Sequence, residues 1–174
     1  APRNVEARRT RGCFHLVNER FAEARTDLKV ALEENPDEGS LYEALGMAYL
    51  MEEKLDEAEK AFDKAIEIDP QAPTALLQRA RVLALRGERP EALADLDKAL
   101  DSYKRSLAIK EELDDKRGMG AILNNIGLTL SAKGDLDESL DYYKKSLAIR
   151  EEFSDKSGKA TTLFNIGNLY WKKD

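Results

Sequence analysis

Cysteine-based nucleophilic catalysis needs a thiolate beside a base, and this chain carries one cysteine, Cys13, and one histidine, His15. Two positions apart they sit about 200° around a helix, so they cannot face each other. His15 reads as a packing side chain. Cys13 has only Arg9 near enough in sequence to depress its pKa. Zinc ligation needs clustered Cys and His, and one of each makes no site. Asp135, Asp137 and Ser139 imitate the start of a calcium loop, but Leu140 stands where the loop requires Gly. The carboxylate pairs Glu111/Glu112 and Glu151/Glu152 lie among Lys and Arg and read as solvated charge. No phosphate-cradling glycine loop occurs. The expectation is a protein without catalytic residues, metal or cofactor, acting through what its surface holds.

Charge narrows the partners. The formal net charge is −6. Residues 39–100 carry 8 Lys/Arg against 13 Asp/Glu, whereas 101–174 carry 13 of each. With no long basic stripe, nucleic acid is not an expected partner. Arg3, Arg8, Arg9 and Arg11 form one basic cluster, read as the solvated end of the first helix. A single cysteine points to a reducing, cytoplasmic setting. No apolar run approaches the roughly 20 residues of a membrane helix. The chain opens on Ala-Pro-Arg without Met, which reads as a cut end with any targeting segment out of view.

The elements that carry these residues repeat. Gly12, Gly46 and Ala80 are spaced by 34, as are Ala24, Ala58 and Ala92, then Leu28, Phe62 and Leu96, and Pro36 with Pro70. Past Ala99 the period becomes 40: Asp101–Lys116 returns as Asp141–Lys156, and Gly127 pairs with Gly167. Aligning residues 101–134 with 141–174 gives 17 identities in 34 positions. Within the second unit, Leu41, Leu45, Ala48 and Tyr49 share one helical face, as do Ala58, Phe62, Ala65 and Ile66. Helices are expected over Ser40–Met51 and Asp56–Ile68, with Glu52–Leu55 between them. A hairpin of two such helices cannot bury both stripes alone, so neighbouring hairpins must stack.

Units starting at Val5, Gly39 and Pro73 place a small residue at position 8, Ala at 20 and 27, an aromatic or Leu at 24, and Pro at 32 in the first two. This pattern resembles the tetratricopeptide repeat. The second unit carries it most fully, with Gly46, Tyr49, Ala58, Phe62, Ala65 and Pro70. The first departs from it with Arg11 at position 7 and His15 at position 11. The segments SLAIKEE, SLAIREE, NNIG (Asn124–Gly127) and FNIG (Phe164–Gly167) resemble the longer variety seen in kinesin light chains and Pins-like polarity adaptors. The resemblance implies an all-α, right-handed α-solenoid of stacked antiparallel helix pairs, about nine helices in all. It divides the chain into a 34-residue array over 1–100 (units 5–38, 39–72 and 73–100) and a 40-residue array over 101–174.

In that family the first helix of each unit lines a concave groove. Carried over by position, the N-terminal groove would show Arg9, Cys13, Glu43, Met47, Leu50, Leu77, Gln78 and Arg81. The C-terminal groove would show Asn124, Asn125, Leu128, Phe164, Asn165, Asn168 and Trp171. The subfamily that clamps C-terminal carboxylates is not matched, because Cys13 and Ala44 stand where its Asn residues belong, and Thr74 and Gln78 replace its cationic pair. Asparagine amides both donate and accept, which suits the backbone of a bound peptide. Local bonding within the repeat is the competing role for them. The resemblance thus implies a non-catalytic scaffold with a protein or peptide ligand. The alternative is a structural building block, natural or engineered, whose seam fits a natural insertion or an engineered fusion of two arrays, with the near-exact repetition of the template leaning toward the fusion. The last helix ends with an apolar face (Leu163, Ile166, Leu169, Tyr170) that either packs back as a cap or recruits a second copy into a homo-oligomer.

The change of period has its own consequence. Ala80 and Gly127 are 47 apart, which is 40 plus 7. Seven residues are close to two helical turns, so an apolar face drifts by only about 20°. No breaker interrupts Pro90–Asp114, and one overlong helix of about 38 Å is expected there, shared by both arrays, which would be offset by about 10 Å. A Gly or Pro insertion beside Leu100 is expected to uncouple the arrays, giving a changed calorimetric melt and a changed scattering profile. A variant that melts and scatters like the parent contradicts the shared helix.

Overall fold

The structure is a computed structural model that describes residues 5–173. Among the described residues there are nine α-helices and no strand: α1 (Val5–Val17), α2 (Phe21–Glu34), α3 (Gly39–Met51), α4 (Leu55–Ile68), α5 (Pro73–Arg86), α6 (Arg89–Glu112), α7 (Lys116–Lys133), α8 (Leu136–Glu152) and α9 (Lys156–Lys173). The expected helices of the second unit are met to within one residue. The overlong helix is α6, 24 residues without a break. The chain divides into two compact units, Ala1–Asp95 and Leu96–Asp174, with the division falling inside α6.

In the first unit α1 packs on α2, α3 on α4, and each hairpin on the next through α2·α3 and α4·α5. The first helices also touch in series, α1 with α3 and α3 with α5. This is the stacking of an α-solenoid. In the second unit α7 packs on α8, α8 on α9, and α7 on α9.

Each hairpin turn needs one residue in the left-handed region. Glu19, Glu53 and Gly87 fill it at φ 58°, 58° and 84°, spaced by 34 like the repeat itself, and Gly134 does so at 102°. The two periods differ in how the second helix stops. In the 34-residue units, Pro36 and Pro70 follow Asn35 and Asp69 and end the helix. In the 40-residue units, Asp114 and Ser154 take left-handed φ of 50° and 53°. Asp115 and Asp155 then cap the next helix, each accepting from a backbone N–H three residues on, Gly118 and Gly158, at 2.9 Å. The helix before that turn is longer, 17 residues in α8 against 14 in α4.

Close approach inside each hairpin sets the repeat position of its glycine. A Cβ on Gly46 would lie 2.5 Å from the Phe62 ring, one on Gly127 would lie 2.7 Å from the Tyr143 ring, and one on Gly12 would lie 2.9 Å from Leu28. Phe62, Tyr143 and Leu28 are all fully buried. The large side chain at position 24 therefore packs directly against the backbone at position 8, and neither can yield in a close-packed core. Gly46→Ala is expected to cost about 1–3 kcal/mol through overpacking, despite the better helix propensity of Ala. Chemical denaturation monitored by circular dichroism reads this directly.

Candidate functional site

The first helices carry the predicted groove residues, and their neighbours decide which side chains are available. On the first unit, Arg9 donates to Glu38 at 2.9 Å and to Glu6 at 3.2 Å. Cys13 and Arg81 are exposed, and Met47 is half-buried against the core around Leu45 and Phe62. Glu43 is half-buried. Loss of solvent raises its pKa, and the backbone N–H of Ala75, in the first turn of α5, opposes that rise. Gln78 is half-buried, and its Oε1 is enclosed without a hydrogen-bond partner. Leu50 and Leu77 are buried.

The basic cluster on α1 behaves differently from the solvated helix end expected of it. Arg8 donates to Asp27 at 2.6 Å, and Arg11 clamps the same carboxylate through Nε and Nη2. Arg3 lies outside the described residues. Asp27 is buried on α2, and hydrogen bonds from Arg11 and then Arg8 outweigh its desolvation, holding its pKa down at about 2. His15, buried beside this cluster, places Nε2 3.8 Å from Asp27 Oδ2. The arrangement recurs in the third unit, where Arg79 donates two hydrogen bonds to buried Asp95 at 2.7 and 2.8 Å and a third to Asp63. Arg11 and Arg79 are both position 7 of a unit, and Asp27 and Asp95 are both position 23. In the second unit these positions are Leu45 and Ala61, both buried. Arg with Asp, or Leu with Ala, is a paired exchange visible in the sequence once units are aligned, and it was the signal that reading residues singly passed over.

On the second unit, the asparagines divide by role. Asn124 is buried, and its Oδ1 accepts from Thr162 at 3.2 Å and from the Asn165 amide at 3.1 Å, both on α9. Thr162 Oγ1 lies 3.3 Å from Ser146 Oγ, which donates to the Gly120 carbonyl at 2.7 Å and accepts from Arg150. This buried polar chain ties α7, α8 and α9 together. Asn125 and Leu128 are half-buried, while Asn168, Phe164 and Trp171 are exposed. Trp171 is 84% exposed, the most open of the C-terminal aromatics.

Among the described residues, no group of three or more His, Cys, Asp or Glu is placed to hold a metal ion. No helix there is long and apolar enough to cross a membrane.

Stacked antiparallel pairs with serially touching first helices define a helical-repeat solenoid. Family models of the tetratricopeptide repeat match residues 9–73, 74–109 and 118–174, and the chain belongs to that family. Superkiller complex protein 3 of Mus musculus is 30% identical over 102 residues, 59% of this chain and 6% of that protein. BBSome complex member BBS4 of Bos taurus is 29% identical over 118 residues, 64% of this chain and 23% of that one. The chain thus spans under a quarter of these relatives' length. The crystal structure of MamA superposes with a TM-score of 0.51 at 26% identity, covering 89% of this chain and 83% of that one.

The Asp27 cluster makes a stability prediction. The unfolded chain binds its proton near the ordinary value of 3.8 and the folded chain only near 2. The cluster therefore stabilises the fold by about 2 kcal/mol above that range and loses this as pH falls through it. Asp27→Asn is expected to lower stability by about that amount at neutral pH and to converge with the parent near pH 2, as read by denaturation across the acid range.

Proposed function

We propose that the chain is a non-catalytic protein-interaction scaffold that holds a peptide or helix against the first-helix faces of its two units. The observation that carries this reading is on the second unit. Asn168 of α9 shares a helical face with the exposed aromatics Phe164 and Trp171, and α7, the neighbouring first helix, carries the half-buried Asn125. Amides beside aromatic surface suit a polypeptide, whose backbone needs both donors and acceptors while its side chains need apolar contact. On the first unit the ligand surface would be Cys13, Met47, Gln78 and Arg81, since the arginines Arg8, Arg9 and Arg11 already serve carboxylates of the fold. Relatives named as members of the Superkiller and BBSome complexes support a partner that is protein. A cytoplasmic setting fits the lone cysteine.

A second reading, that of a structural building block whose purpose is its own stack or self-association, is favoured by the 17 identities in 34 positions between residues 101–134 and 141–174. Under it the exposed apolar surface of α9 meets a second copy, and no peptide ligand exists.

Asn125→Ala combined with Asn168→Ala separates the two. Asn165 is left intact because its amide is engaged with Asn124. Peptides captured by the parent on an array are expected to bind the double variant at least tenfold more weakly, the loss of one or two hydrogen bonds, with the thermal melt unchanged. Unaltered capture rejects the groove, and failure of the parent to capture any peptide favours the building-block reading.

A further inference from the structure

The three first helices of the first unit finish on the same kind of side chain. Position 13 of the 34-residue units is Val17, Met51 and Leu85, exposed by 84%, 49% and 61%. Met51 lies on α3, which touches α1 on one side and α5 on the other, so its exposure belongs to the position and not to an end of the stack. Repeat equivalence makes the three side chains rungs of one apolar ladder, with adjacent rungs about 8–10 Å apart, the spacing of packed helices. In the 40-residue units the same position holds Ala132 and Lys172, so the ladder is a feature of α1, α3 and α5.

A carboxylate stands just beyond each rung, at the hairpin turn. Glu19 and Glu53 follow by two residues and Glu88 by three, all exposed and, among the described residues, without an ion-pair partner. The neighbouring cations are mostly engaged: Arg20 by Glu23, Lys54 by Glu52, and Arg86 by Glu59 and Asp56. Of the turn cations only Arg89, among the described residues, lacks such a partner. The turn side of the ladder is therefore net negative.

Rung spacing selects the backbone that fits. A polyproline II chain turns once in three residues and rises about 9 Å in doing so, which sets every third side chain on a successive rung. A β-strand repeats a face every two residues, about 7 Å, and falls out of step. An amphipathic helix needs an apolar stripe several side chains wide, whereas Leu85 has Arg81 four residues before it and Glu88 three residues after it.

We infer that Val17, Met51 and Leu85 dock a polyproline II segment of a partner protein, apolar at every third position and basic on the face that looks toward Glu19, Glu53 and Glu88. The inference rests on the scaffold reading above and adds the class of ligand, through contact residues distinct from those named there.

The probe is a fluorescein-labelled peptide of three Leu-Pro-Lys repeats, titrated with the whole chain and read by fluorescence anisotropy. Saturable binding is expected, about tenfold weaker when Ser replaces every Leu or Glu replaces every Lys. Met51→Gln, at an exposed helix end, is expected to weaken the Leu-Pro-Lys peptide about tenfold with the thermal melt unchanged. Glu53 holds a left-handed φ of 58°, the place that Gly87 fills in the third unit. Glu53→Gly is therefore expected to melt no lower than the parent while binding that peptide roughly threefold more weakly, an outcome that a purely structural glutamate would not give. No saturation with the Leu-Pro-Lys peptide overturns the ladder. So does binding that Met51→Gln leaves intact, or that the Ser or Glu peptide equals. If a peptide array captures other sequences while the Leu-Pro-Lys peptide fails, the ladder alone is wrong; if neither binds, the scaffold reading falls with it.

Discussion

The fold depends on one contact repeated along the chain: a large side chain at position 24 laid directly on the backbone of a small residue at position 8. Phe62 on Gly46 and Tyr143 on Gly127 bring two helices closer than any pair of ordinary side chains would allow. That approach fixes the spacing inside each hairpin, and the hairpin's remaining apolar face can then be buried only by the next one. The lengths of helices, the choice of turn and the change from 34 to 40 residues all work around this contact without altering it. On α9 the same position is Gly167, where an added Cβ would meet nothing within 4 Å, and Leu163, Phe164, Tyr170 and Trp171 are exposed.

Around that constraint the two kinds of unit solve a second problem differently. Positions beside the close contact are buried, and polar groups there must be satisfied. The shorter units use either an apolar pair, Leu45 with Ala61, or an ion pair, Arg11 with Asp27 and Arg79 with Asp95. The longer units use hydroxyls bonded to helix carbonyls, Ser139 to Gly127 and Ser146 to Gly120. A hydroxyl costs little to bury once bonded, whereas a buried carboxylate needs a guanidinium held in place. Each solution commits side chains to the fold, and what remains for a ligand is correspondingly smaller than the full set of first-helix residues. Arg9, Asn124 and Asn165 all lie on first helices, yet each is engaged within the chain.

Helices, breaks and the family were legible in the sequence because they follow from local rules. The spacing of Leu41, Leu45, Ala48 and Tyr49 is enough to place α3, and the absence of Gly or Pro after Pro90 is enough to run α6 without a break to Glu112. Helical periodicity, turn residues and repeat length all act over a few positions, so one chain suffices to read them. The destinations of Arg8, Arg11 and Asn124 were decided by tertiary structure alone. Their partners lie 16 to 41 residues away on neighbouring helices, and a charged or amide side chain looks the same in sequence whether it faces water or a buried acceptor. Packing of one helix on the next settles that, because only there does losing water make the pairing obligatory.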